Sequence, residues 1–306
     1  MSSEVYFAQR RATQGGGLLE KLEQLCDAAG FGVLFGGGVV AVRLSFGEVG
    51  NTTYLRPQFA QRVVRRLRGY GAQPFVADTL SPGSARRGNA AEHLAAAAAN
   101  GFAPGTMDGA PLIVADGLFG GDERMLGTDA RVAAAFAEAD GILALTHFTG
   151  QEHAGYCGAI YHMGFGTASL GGKRHMMSGA VGENGTPGAF QERMVDSLRD
   201  LAVAKDRKLG YVTLLVDLTP GSDDLDWSDA AVAPDIGLLA SRDPVAIDQA
   251  AIDLFQSAPG VAGTRLTDPG TKDKLRDLYP GVDWEHALRY AERVGLGTRD
   301  YELMII

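Results

Sequence analysis

Short apolar runs rich in β-branched residues recur along this chain, each followed by a stretch of helical periodicity and set off by glycine, of which there are 42. A chain built that way has few folds open to it. Strands buried on both faces read as continuous apolar runs, and the stretches between them supply the crossovers of a parallel sheet. Residues 39–46 (VVAVRLSF) suit a buried strand. Pro57 then stands where a first helical turn tolerates it, and Phe59, Val63, Val64 and Leu67 line one face.

The alternation continues with a strand at 74–77 and a helix over 89–100 closed by Gly101. A strand at 112–115, a helix near 129–139 and a strand at 142–146 follow, after an opening helix at about 17–29. In the second half the pattern predicts a helix at 189–204, strands at 211–216 and 236–240, and a helix started by Asp243 and Pro244 that ends near Gln256. Helices near 272–278 and 284–294 close the chain. The expectation is an α/β fold, a mostly parallel sheet flanked by helices, in one domain over 1–306 with room for two lobes.

A formal charge of −9 and the lack of any Lys/Arg tract interleaved with aromatics speak against nucleic acid as a partner. No apolar run approaches the roughly 20 residues that cross a bilayer. The polar start Met1-Ser2-Ser3-Glu4 lacks the regions of a signal peptide, so a cytoplasmic protein acting on a small molecule is expected. Cys26 and Cys157 supply no disulfide framework, although one bridge between them stays open. Nothing in the sequence fixes an oligomeric state.

In such sheets ligands sit beyond the carboxyl ends of strands. The stretch after the strand at 142–146 gathers His147, Glu152, His153, Cys157, Tyr161 and His162. Imidazoles near neutral pKa suit acid/base work or metal ligation, so His147, His153, Tyr161 and His162 are candidate catalytic residues. Two or three of these histidines could instead hold a divalent metal, though their spacing fits no strict motif. After the strand at 39–46, Asn51, Thr52, Thr53 and Arg56 precede a helix N-terminus. With Arg87 and Asp78 they are candidate substrate-binding groups, suited to a carboxylate or phosphate. The plainer alternative is that Thr52 and Thr53 cap the helix and Arg56 pairs with a surface acid. Asp223, Asp224, Asp226 and Asp229 read as a solvated acidic loop.

These stretches, in this order, resemble the iron–sulfur-centre proteins of domain-of-unknown-function family 362. The resemblance rests on FGEVGNTTYLRP (46–57), RGNAAEHL (87–94), NGF (100–102), ADGLFG (115–120), the stretch at 146–169, FQERMVD (190–196) and DIGLLASRDPVAIDQAAID (235–253). It implies an α/β body with a ferredoxin-like insertion whose cysteines ligate 4Fe–4S clusters. Here the corresponding interval, 178–189, is short and has no cysteine, so such clusters are not expected. Asp224-Leu225-Asp226 replaces a paired-cysteine motif, Gln151 stands where the family pattern has a histidine, and Tyr161 where it has a lysine. TTYLRP and HAGYCGAIYHMGFG are also distantly similar to the nucleotide-binding domain of nickel-pincer lactate racemases. There that lysine carries the pincer cofactor, so Tyr161 argues against its covalent attachment here.

The leading expectation is therefore a cluster-free enzyme, an isomerase or lyase, moving protons on a small anionic organic substrate. His147 and His153 would exchange protons, Tyr161 would stabilise an enolate, and Arg56 with Thr52 or Thr53 would hold the anion. No cofactor is expected, with a divalent metal as the open alternative. The rival readings are an oxidoreductase using a bound flavin, nicotinamide or metal, and a noncatalytic small-molecule-binding protein.

Overall fold

A computed structural model of the chain describes residues 2–12, 14, 16–84, 86–182 and 185–306. Met1, and residues 183 and 184 of the shortened interval, lie outside the described residues.

The apolar runs become strands, and the periodic stretches become helices. β1 (Ser3–Gln9), α1 (Leu18–Ala28), α2 (Phe31–Phe35) and β2 (Val39–Arg43) come first. Pro57 opens α3 (Pro57–Gly69), where its missing N–H would have no helical partner in any case. β3 (Gln73–Asp78), α4 (Ala90–Ala99) and β4 (Leu112–Val114) follow. Asn89 caps α4 through its side chain, which accepts from the Glu92 amide. The helix expected near 129–139 is only half helix. β5 (Glu123–Leu126) and β6 (Ala130–Ala133) form a hairpin, and α5 (Ala134–Glu138) keeps the remainder, because ladder pairing to β5 outweighs the helical propensity of the alanines.

Beyond it lie β7 (Gly141–His147), the small hairpin β8 (Thr149–Gln151) and β9 (Gly155–Cys157), α6 (Ala159–Gly164), α7 (Leu170–Met177) and α8 (Ala189–Ala204). β10 (Leu209–Leu215), β11 (Gly237–Ser241), α9 (Pro244–Ser257), α10 (Lys274–Leu278), α11 (His286–Arg293) and β12 (Tyr301–Ile305) complete the chain. Asp243 caps α9 by accepting from the amides of Val245 and Ala246. No helix among the described residues is long and apolar enough to cross a membrane.

Eight strands form one sheet in the order β12-β1-β11-β10-β7-β2-β3-β4, in which only β11 runs against the rest. Two apolar clusters cover its faces. One is built with α1, α2 and α3, the other with α5, α6, α8, α9 and α11. Cys26 belongs to the first and Cys157 to the second, and both are free, so the bridge left open above does not form.

The order of the strands also locates a crevice. From β2 the chain steps outward through β3 and β4, then returns to place β7 on the other side of β2. Adjacent connections therefore leave in opposite directions, and the carboxyl ends of β2 and β7 part. This is the position at which open α/β sheets receive ligands.

Candidate functional site

Arg43 and His147 are the last residues of β2 and β7, so the ladder places both at the carboxyl edge where the crevice opens. Asp78 ends β3 beside them. The loop 216–236 after β10 folds back over the same edge and brings Asp223 and Asp224. The Glu48 amide donates to the Asp223 carbonyl at 2.9 Å. Loop 44–56 is tied to it by Asn51, whose side-chain amide donates to the carbonyls of Ser222, Leu225 and Trp227. Thr52 donates through its amide to Ser228 Oγ, and the Thr53 and Ser228 hydroxyls lie 3.0 Å apart. The side chains of Asn51 and Thr53 and the amide of Thr52 thus tie the two loops together.

At the base of the crevice lies a buried ion network. Arg87 is sealed from solvent and faces three carboxylates: Glu48 at 3.2 Å from Nε, Asp78 at 3.8 Å from Nη1 and Asp224 at 2.9 Å from Nη2. Arg43 donates to His162 Nδ1 through Nη1 and to the Gly166 carbonyl through Nε, and its Nη2 lies 3.5 Å from Asp78. Gly166 is required there, because a Cβ would occupy the guanidinium's place. Burial pushes the Asp78 carboxyl up. The hydrogen bond from His93 and the charges of His93, Arg43 and Lys173 outweigh it and hold Asp78 well below the usual carboxylate range.

His147 is buried with both ring nitrogens engaged, Nδ1 at 2.7 Å from Asp223 Oδ1 and Nε2 at 2.7 Å from the Val216 carbonyl. A carbonyl only accepts, so Nε2 carries a hydrogen, and the close approach of Nδ1 to a carboxylate favours a second one. Burial opposes that charge, yet Asp223 raises the imidazole's pKa above its usual value. With both ring nitrogens engaged, His147 presents no free lone pair in this geometry.

His162 is its opposite. Burial first, and then Arg43, push its pKa well below the usual value, so the ring is neutral. Because Nδ1 accepts from Arg43, the single ring hydrogen sits on Nε2, which has no partner among the described residues. The neighbouring Tyr161 ring lies 6.1 Å away. Burial drives its phenol far above the ordinary value, so it too stays protonated.

The acidic loop does not read as the sequence suggests. Asp226 and Asp229 are solvated, but Asp223 is buried on His147, and Asp224 belongs to the ion network. At 30% exposure the Asp224 side chain is the most open carboxylate of the group, against 3 to 5% for Asp78, Glu48 and Asp223. Its Oδ1 accepts from Arg87 and Ser45, leaving Oδ2 without a partner among the described residues. Burial raises its pKa, but Arg87 and Lys173 outweigh this and keep it ionised. Lys173 donates to the Leu80 carbonyl at 2.8 Å and stands over the Phe165 ring; burial lowers its pKa.

Other expected residues lie elsewhere. Arg56 pairs with Asp217 at 2.7 Å, is 56% exposed, and lines a separate cleft of about 730 Å³ together with Thr52 and Asn100. His153 meets the Phe190 ring edge-on in a cleft of about 490 Å³ shared with His286, and Glu152 pairs with it at 3.4 Å. Gln151, which stands where a histidine was expected, accepts from the amides of His153 and Ala154 and so shapes this turn. Among the described residues no three His, Cys, Asp or Glu side chains gather as metal ligands. Arg43, Glu48, Lys173 and Asp224 were missed as site residues. Arg43 alone left a plain signal, a charge inside an apolar strand.

Residues 40–253 match the family described as Domain of unknown function (DUF362). No curated protein matches the chain. Among solved structures, the lactate racemase apoprotein from Thermoanaerobacterium thermosaccharolyticum shares 14% identity over 71% of this chain and 51% of its own, with a TM-score of 0.41. A Thermotoga maritima protein shares 9% identity over 90% of this chain and 58% of its own, with a TM-score of 0.35. The chain thus spans only about half the length of these proteins.

Proposed function

This chain belongs to the DUF362 family, whose function is unknown, and from that premise we propose that it is an enzyme moving a proton on a small organic acid or carbonyl compound in the crevice between β2 and β7. The observation that carries the reading is the state of His162: a neutral imidazole whose Nδ1 is held by Arg43 and whose Nε2–H is left to donate.

A neutral imidazole N–H is suited to polarising a carbonyl, since it donates without first giving up a full charge. The substrate oxygen would accept from His162 Nε2–H and from the Tyr161 hydroxyl. The C–H bond beside the carbonyl breaks, its proton goes to Asp224 Oδ2, and the electron pair moves onto the oxygen as an enolate. Lys173 lies close enough to Asp224 to influence its ionisation and would favour that negative charge. Return of the proton to carbon completes an isomerisation, while loss of a β-substituent completes an elimination. His147 and Arg43 would orient and would not exchange protons. This moves the expected base from His147 to Asp224.

The test works whatever the product is. The protein is incubated in D₂O with short-chain α-oxo, α-hydroxy and α-amino acids, and loss of the α-proton signal is followed by ¹H NMR. Exchange is expected with at least one class and should fall by about 10²-fold or more in Asp224→Asn and in His162→Ala. Absence of exchange throughout the panel overturns the proposal in favour of a noncatalytic binding protein, and exchange unchanged in both variants overturns the assignment of the site.

A further inference from the structure

Tyr161 and His162 sit on α6, a helix of only six residues that is buried throughout. So short a helix is not stable by its own hydrogen bonds, and its placement must come from what it touches. Its first amides meet a side chain from a distant element. Asp248, in the buried face of α9, accepts from the amides of Ala159 at 2.6 Å and Ile160 at 3.0 Å. The Tyr156 hydroxyl lies 3.5 Å from Oδ2, the oxygen that the Ile160 amide also meets. Gly158 leaves room for it, since a Cβ there would stand 2.5 Å from Asp248 Oδ1.

We propose that Asp248 is a positioning residue of the site: it fixes the N-terminus of α6 and thereby the places of Tyr161 and His162 against Arg43 and Asp224. This rests on the reading of the crevice given above, but its test does not require turnover.

The physical argument is one of disfavoured burial. Asp248 is fully enclosed, and an ionised carboxylate in such a place opposes folding unless something is gained by it. Burial pushes its carboxyl up to about 7, against the amides of Ile160 and Ala159 and the Tyr156 hydroxyl, all of which favour the charge. The titratable groups acting on it are Tyr156 from β9, Tyr211 from β10, and Asp243 at the start of α9 itself; Cys157 and Arg299 act in turn on Tyr156. α6 faces it with two amides. Its folded pKa is raised above the ordinary value of 3.8, so the contribution it makes to stability is present below that value and lost as pH rises through about 7. Above neutrality the cap is strongest and the fold weakest, an exchange of stability for geometry that is common at functional sites.

The experiment is a pH titration of the full chain with selectively labelled alanine, isoleucine, tyrosine and histidine, followed by NMR from about pH 5 to about pH 9. The amides of Ala159 and Ile160 and the rings of Tyr161 and His162 should move together through one step near 7. Asp248→Asn should abolish that step and raise the melting temperature at about pH 8 by a few degrees. If Asp248→Asn does not fold, Tyr156→Phe keeps the test decisive, because losing the hydroxyl should shift the step upward. A step that survives in Asp248→Asn, is unmoved in Tyr156→Phe, or is seen at the amides without the rings overturns the proposal. Deuterium exchange that fails while the step persists would instead sink only the proton-transfer reading.

Discussion

Two places on this molecule invite a ligand, and they are built on opposite principles. The wide cleft beside Arg56 has volume, about 730 Å³, and its charge is a solvated pair with Asp217. In the crevice between β2 and β7 the ionisable groups are packed so closely that burial and neighbours govern their protonation. Exposed pairs are levelled by water and screened by salt, whereas groups held without water keep shifted pKa values and fixed tautomers. Shape alone would select the first place; chemistry selects the second.

The sharpest way to break the contrast is to remove one guanidinium from each. Arg87→Ala removes the buried cation shared by Glu48, Asp78 and Asp224 and should lower stability by about 3–5 kcal/mol in denaturant unfolding. A loss under about 1 kcal/mol would mean that the network is wetter than its burial indicates.

The pH dependence of stability sharpens the contrast next. The Asp78 pKa is lowered, so its contribution is present above the ordinary value of 3.8 and lost as pH falls through its lower folded value. The His147 pKa is raised, so its contribution is present below the ordinary value of 6.5 and lost as pH rises through its folded value. Melting temperature against pH should therefore decline at both ends. Asp78→Asn should flatten the acid limb and His147→Gln the alkaline limb, and unchanged limbs would contradict these protonation states. The smallest effect belongs to the wide cleft. Arg56→Ala should cost about 0–1 kcal/mol and become undetectable in high salt.

The sequence disclosed the α/β alternation because buried parallel strands announce themselves locally: β2, β3, β7 and β10 start and stop close to where their apolar runs do. β1 and β12 were not foreseen, since they carry mixed polar and apolar residues and become strands by pairing with β11 and with each other. The site was legible to the same depth. His147 could be placed at a strand end, and Tyr161 and His162 in the loop beyond it. The partner that occupies His147, Asp223, lies 76 residues away, and no spacing rule joins the two. Without that partner a histidine at a strand end reads as a base. Asp248 was hidden in the same way, as one acid in a helix whose meeting with the first amides of α6 no spacing rule foretells.

The three-way grip of Arg87 on Glu48, Asp78 and Asp224 also limits how such a protein can diverge. No single exchange of one of these residues for an uncharged one leaves the others paired as before, so an isolated change passes through a destabilised intermediate before any compensation arrives. Among its relatives, positions 48, 78, 87 and 224 should therefore vary as a set or not at all, a mark left by electrostatics on inheritance rather than by catalysis.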